Sequence, residues 1–166
     1  MVREQTSVAE QAITDDKSAA AVLPGRLMMV SSHLYELGTQ AHLIHLNIEA
    51  PEFFSLHKFL KKQYKQHRHQ FDRAAELVRS MEYFMPMCSV GLKQSLPNFK
   101  HVKDYAPQAM LGTYLQNLEE LCYLAQRVHG TAAAESNIVA TMLLEEICSK
   151  SHTAAWKVKA TLRRQS

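Results

Sequence analysis

Apolar residues spaced three and four apart along most of the chain limit its fold more than any other feature. From Leu27, the residues Val30, Leu34, Leu37, Ala41, Ile44 and Ile48 keep one helix face apolar, the seam of a helix packed in a left-handed bundle. The series predicts a helix to about Glu49. Ala50-Pro51 ends it, because proline cannot continue a helix and pushes the preceding residue out of helical backbone, yet suits the first turn of the next helix. Phe53, Leu56 and Leu60, then Phe71, Ala74, Val78 and Met81, predict a second helix to about residue 82. Leu111, Tyr114, Leu118, Leu121, Ala125 and Val128 predict a third, which Gly130 is expected to stop, and a fourth spans Ile138 to Leu162. No stretch alternates with period two, so no strand is expected. Neither an internal repeat nor a phosphate-binding glycine loop is present. Only five glycines and five prolines punctuate 166 residues, which leaves helices of this length free to form.

Between the second and third helices lies "MPMCSVGLKQSLPNFK", which holds both helix-breaking residues and two short apolar groups. It predicts a long crossover carrying one small helix. Short first and third connections around one long crossover are the topology of a ferritin-like four-helix bundle. The expected organisation is all-α, with a flexible arm over residues 1–26 and a bundle domain over 27–166. A hydrophobic content of 46% suffices for one real core. No run of about 18 apolar residues exists to cross a membrane. The amino terminus lacks the apolar centre of a secretion signal, so a cytoplasmic protein is expected. Cys88, Cys122 and Cys148, odd in number and without C-x-x-C spacing, are expected to be three reduced thiols.

Bundles of this topology hold two irons inside one subunit through Glu-x-x-His pairs. This chain contains no Glu-x-x-His. Another arrangement is present in "HLNIEAPEFFSLH", which begins at His45 and ends at His57. Each histidine lies about six residues from the bend, so an antiparallel hairpin sets both at the same height, roughly 9 Å from it. Asp72 and Glu76, four apart, share one face of the second helix. Fifteen residues of helix separate His57 from Asp72, about 22 Å, too far for one ion to span. If two hairpins pack across a two-fold axis, the start of each second helix meets the end of the other, and both ligand sets converge twice per dimer. The spacing therefore points to an intersubunit metal site.

The segment "QAHLIHLNIEAPEFFSLHKFLKKQYKQHRHQFDRAAELV" resembles the signature of the Dps family, the mini-ferritins of starved bacterial cells, through His45, Asn47, Phe54, Leu56, His57, Asp72, Ala75 and Glu76. The ending "HTAAWKVKATL", with Trp156, is similar to the close of that family's last helix. The resemblance implies a homo-dodecameric hollow shell with a ferroxidase centre at each dimer interface, where His45 and His57 meet Asp72 and Glu76 of the partner subunit. It further implies oxidation of Fe²⁺ by hydrogen peroxide or dioxygen and storage of the ferric product, protecting the cell from oxidative damage. Imidazole and carboxylate together suit ferrous iron. A centre holding redox-inert zinc, and a purely structural assembly, are the alternatives.

Two positions depart from the family pattern. Leu46 stands where the family usually has tryptophan, and Lys61 where it usually has an acidic ligand four residues after the second histidine. A protonated amine has no lone pair to donate. His152, one turn before Trp156, is the candidate replacement ligand, with His69 behind it and His42 structural. DNA binding is not expected of the arm: Arg3, Lys17 and Arg26 stand against Glu4, Glu10, Asp15 and Asp16, a net charge of about −1 that releases few phosphate counterions. The remaining DNA candidate is the cluster Lys157, Lys159, Arg163 and Arg164, which equally suits the carbonyl end of a helix or a pore lining. Glu119 and Glu120 are the candidates for an acidic iron-entry pore.

Overall fold

A computed structural model describes residues 22–94, 96 and 98–163. Five helices follow in order: α1 (Val22–Asn47), α2 (Phe53–Ser80), the short α3 (Ser89–Gln94), α4 (Pro107–Ala134) and α5 (Ile138–Arg163). No strand occurs among the described residues. Helices α1 and α2 pack along one another, as do α4 and α5, and the α1–α4 contact joins the two hairpins. The predicted apolar seams meet in the middle, where Leu27, Leu34, Leu37, Leu60, Leu111, Leu118, Leu121, Leu144 and Ile147 are fully buried. Burying each such side chain contributes about 1.5–3 kcal/mol, which makes this core the main support of the bundle.

The boundaries differ from expectation at two helix ends. Helix α1 begins at Val22, so residues 22–26 of the expected arm are helical, and the arm's residues 1–21 lie outside the described residues. Leu23 is buried in the core, and Pro24 sits in the first turn, where its missing N–H leaves no hydrogen bond broken. Helix α4 does not stop at Gly130 but continues to Ala134. Buried Ala132 and the good helix formers beside it carry the helix on. The stop comes at Ser136, whose φ of 54° closes a Schellman motif: Ser136 N–H donates to the Ala133 carbonyl at 3.0 Å and Asn137 N–H to that of Ala132 at 2.9 Å. Asn137 then caps α5 by accepting the Ala140 N–H at 3.0 Å. Helix α2 ends the same way, through Glu82 at φ 68° and the Tyr83 N–H on the Val78 carbonyl.

The apolar gap between Leu60 and Phe71 in the second helix hides a seam that is continuous but polar. Gln63, His67 and Gln70 occupy its buried positions. His67 Nε2 lies 2.8 Å from the Tyr114 hydroxyl, and His33 Nε2 donates to the Asn117 carbonyl at 2.9 Å. The Asn117 amide donates to Gln40 Oε1 at 3.0 Å and to the Lys100 carbonyl at 2.7 Å, and the Gln40 amide donates to that same carbonyl, pinning the crossover to α1 and α4. Burial lowers the pKa of His33 to about 4 and that of His67 to about 3, the nearby His33 imidazole adding to the latter.

The cysteines also depart from expectation. Cys122 and Cys148 are paired as a disulfide that joins α4 to α5, while Cys88 is exposed and free. The helical hairpin explains the pairing: both residues stand about three to four turns from the Ser136 turn, on facing sides, and their Cα atoms come within 4.3 Å.

Candidate metal centre

The α1–α2 elbow builds the site from the backbone outward. His45 Nδ1 donates to the His57 carbonyl at 2.8 Å, and His57 Nδ1 donates to the His45 carbonyl at 3.0 Å. A carbonyl can only accept, so each Nδ1 carries a proton, and in the neutral ring Nε2 is then the nitrogen with the lone pair. The rings stack, centroids 3.7 Å apart and 24° between planes. Such outer hydrogen bonds fix the tautomer and orientation of an imidazole before a metal arrives. Burial lowers the His45 pKa, partly offset by its hydrogen bond to the His57 carbonyl; the imidazoles of His57 and His42 and the Lys61 ammonium push it the same way as burial. A neutral His45 is the form that ligates.

Around the pair, the Phe53 and His57 ring centroids lie 5.0 Å apart, and Tyr64 stacks on His42 with centroids 4.2 Å apart and meets His45 edge to face with centroids 5.5 Å apart. Arg68 donates to His42 Nδ1 at 3.4 Å, which fits a structural His42. Tyr64, one heptad beyond His57, was hidden in the lysine-rich surface pattern of α2. Leu43, Leu46 and Phe54 leave the same elbow strongly exposed, Phe54 at 87%.

Asp72 and Glu76 are exposed on α2, one turn apart, and neither forms an ion pair among the described residues. One chain thus presents two imidazoles at one end of α2, with the Asp72 carboxylate about 22 Å and the Glu76 carboxylate about 28 Å along it. Among the described residues, no three histidine, cysteine or carboxylate groups of one subunit gather closely enough to hold a metal ion.

The replacement ligands fare differently. His152 does not join His45 and His57 within the subunit: it lies in the α4–α5 cleft with Cys122, Gln126 and Cys148, and α5 makes no contact with α1. Within one chain α1 and α5 sit diagonally across the bundle, which keeps His152 away from the histidine pair of its own chain. His69 is exposed on α2, and Lys61 is exposed beside the histidine pair. Of the basic cluster, Lys159 is paired with Glu119 at 2.7 Å; Arg164 lies outside the described residues.

Four helices, a long crossover with one short helix and a histidine pair at the first elbow define a ferritin-type bundle. The chain belongs to the ferritin family, whose ferritin-like domain matches residues 27–166. Its fold is that of the Dps proteins. It superposes on the antigen TpF1 from Treponema pallidum with a TM-score of 0.81 at 20% identity, covering 87% of this chain and 94% of that one. It is similar to Dps from Listeria innocua soaked with zinc (TM-score 0.79, 17% identity, 84% and 95% covered). It is also similar to Dps from Vibrio cholerae, a member of a superfamily of ferritin-like diiron-carboxylate proteins (0.78, 16%, 84% and 88%). No curated protein sequence matches the chain. No helix of the described residues is long and apolar enough to cross a membrane.

Proposed function

We propose that this chain is a Dps-type mini-ferritin that oxidises ferrous iron at centres shared between two subunits and stores the ferric product inside a cage of twelve, in the cytoplasm. One observation carries the reading: each imidazole donates its Nδ1 proton to the other residue's backbone carbonyl and leaves Nε2 free to face a ligand, while among the described residues no third metal-binding group of the same chain joins the pair. Asp72 and Glu76 of the partner subunit complete the ligand set. The exposed Leu43, Leu46 and Phe54 supply the apolar surface on which the second hairpin seats. Ferrous ions are the substrate. Two of them reduce one hydrogen peroxide, whose O–O bond breaks to give two waters after uptake of two protons. The neutral imidazoles hold the reduced ion and the carboxylates stabilise the ferric charge.

Lys61 supports a second reading, a centre with weakened oxidation that holds zinc. Its ammonium stands beside the pair in place of an acidic ligand. One experiment separates the two readings: anaerobic addition of Fe²⁺ followed by hydrogen peroxide, with ferric absorbance recorded in wild type and His57→Ala. Fast oxidation that the substitution abolishes supports the ferroxidase. Tight metal binding without oxidation supports the zinc centre, and oxidation unaffected by the substitution refutes the ligand set.

A further inference from the structure

The cleft between α4 and α5 gathers chemistry that the iron centre leaves unused. Cys122 and Cys148 face one another there, with Cα atoms 4.3 Å apart. The Gln126 amide donates towards both sulfurs, at 3.9 Å to Cys122 and 3.6 Å to Cys148. His152 stands one helical turn after Cys148, on the same face, and His129, hydrogen-bonded to Glu145 at 3.0 Å, lines the same cleft. The cleft has a volume of about 530 Å³ and both cysteines are only half-buried, so small molecules reach the sulfurs. A disulfide sealed in a core is inert; one that opens onto a polar cleft beside imidazoles has the surroundings of a reactive thiol pair.

We propose that Cys122 and Cys148 are a two-electron redox pair that reduces small hydroperoxides. In the reduced state the Cys148 thiolate, its proton taken by His152, attacks a peroxide oxygen. The O–O bond breaks, a sulfenic acid forms on Cys148, and the departing hydroxide takes the proton from His152 and leaves as water. The Cys122 sulfur then attacks the sulfenic sulfur, the S–O bond breaks, and a second water leaves with the Cys122 proton. The net change converts a dithiol and one hydrogen peroxide into a disulfide and two waters. An external dithiol then returns the disulfide to two thiols by thiol–disulfide exchange and is itself oxidised to a disulfide. His152 acts here as the base, and Gln126 is a positioning residue that orients the two sulfurs.

Cys88 makes the test internally controlled, because the same molecule carries an exposed, unpaired thiol as reference. The full chain is reduced with dithiothreitol, desalted and treated with one equivalent of hydrogen peroxide, with a chelator present so that the result is independent of the iron centre proposed above. The expected result is loss of the Cys122 and Cys148 thiols about tenfold faster than Cys88, with formation of the 122–148 link and its full recovery on adding dithiothreitol. In Cys122→Ser the reaction stops at a Cys148 sulfenic acid that dimedone traps. His152→Ala, whose helicity is checked by circular dichroism, slows the first step about tenfold or more and flattens its pH profile. Oxidation of the pair no faster than that of Cys88, or a link that resists dithiothreitol in the folded protein, overturns the proposal in favour of a fixed cross-link.

Discussion

A centre divided between two subunits predicts complementation between two dead proteins. One parent carries His45→Ala with His57→Ala; the other carries Asp72→Asn with Glu76→Gln. Each loses two ligands from every centre, so each falls by more than the roughly 10–100-fold that loss of an outer-shell partner causes. When the two are dissociated, mixed in equal amounts and reassembled, about half of the dimers contain one of each. Such a dimer holds one centre with all four ligands and one with none, so about a quarter of all centres are intact. Ferric absorbance after peroxide addition to the Fe²⁺-loaded mixture should therefore recover to about a quarter of the wild-type rate. Because about 22 Å of helix separates the two ligand sets, a centre within one subunit cannot give this recovery. A mixture no more active than its parents, with mixed assembly confirmed by mass spectrometry, refutes the shared centre.

Other substitutions probe the surrounding structure. Lys61→Asp removes a cation that depresses the His45 pKa and supplies a carboxylate, so Fe²⁺ affinity measured by anaerobic titration should rise about tenfold, equivalent to about 1.4 kcal/mol; unchanged affinity sets Lys61 apart from the metal. Phe54→Glu places a charge on the exposed face assigned to the dimer, and size-exclusion chromatography should show species smaller than wild type. His33 and His67 are neutral in the fold, with pKa values of about 4 and 3 against 6.5, so the unfolded chain binds more protons. Their contribution is fully present above pH 6.5 and is lost as pH falls towards those folded values, by about 3 kcal/mol at pH 4 for His33 alone. Urea unfolding at stepped pH reads this loss, and a midpoint that stays flat from pH 6.5 to 4 contradicts it. Asn117→Ala breaks hydrogen bonds to Gln40 and Lys100 and should destabilise the protein by about 2–4 kcal/mol in the same unfolding assay.

The helices were legible because burial of leucines at three- and four-residue spacing leaves few other packings. The Ala50-Pro51 elbow was legible because proline acts locally. Gly130 misled, since one glycine costs only about 1 kcal/mol in a helix and buried Ala132 offsets it. The true stop, at Ser136 and Asn137, depends on left-handed backbone that serine does not announce. Gln63, His67 and Gln70 were overlooked because a search for apolar residues passes over a core position filled by a polar one. At the candidate metal centre, residue identity and helical rise placed His45 and His57 together and set the carboxylates apart. The reciprocal bonds to main-chain carbonyls were not legible, because they depend on how closely the two helices approach. The cysteine pair was missed because an odd count without C-x-x-C spacing says nothing of which residues face one another across the hairpin that joins α4 to α5.

The crossed bonds of His45 and His57 tie each ring to the opposite helix through a main-chain carbonyl. A slip of α1 along α2 by a fraction of a turn would therefore strain both bonds together. In the proposed centre the two rings are thus set when the hairpin closes, ahead of any metal, so capture would require little further ordering.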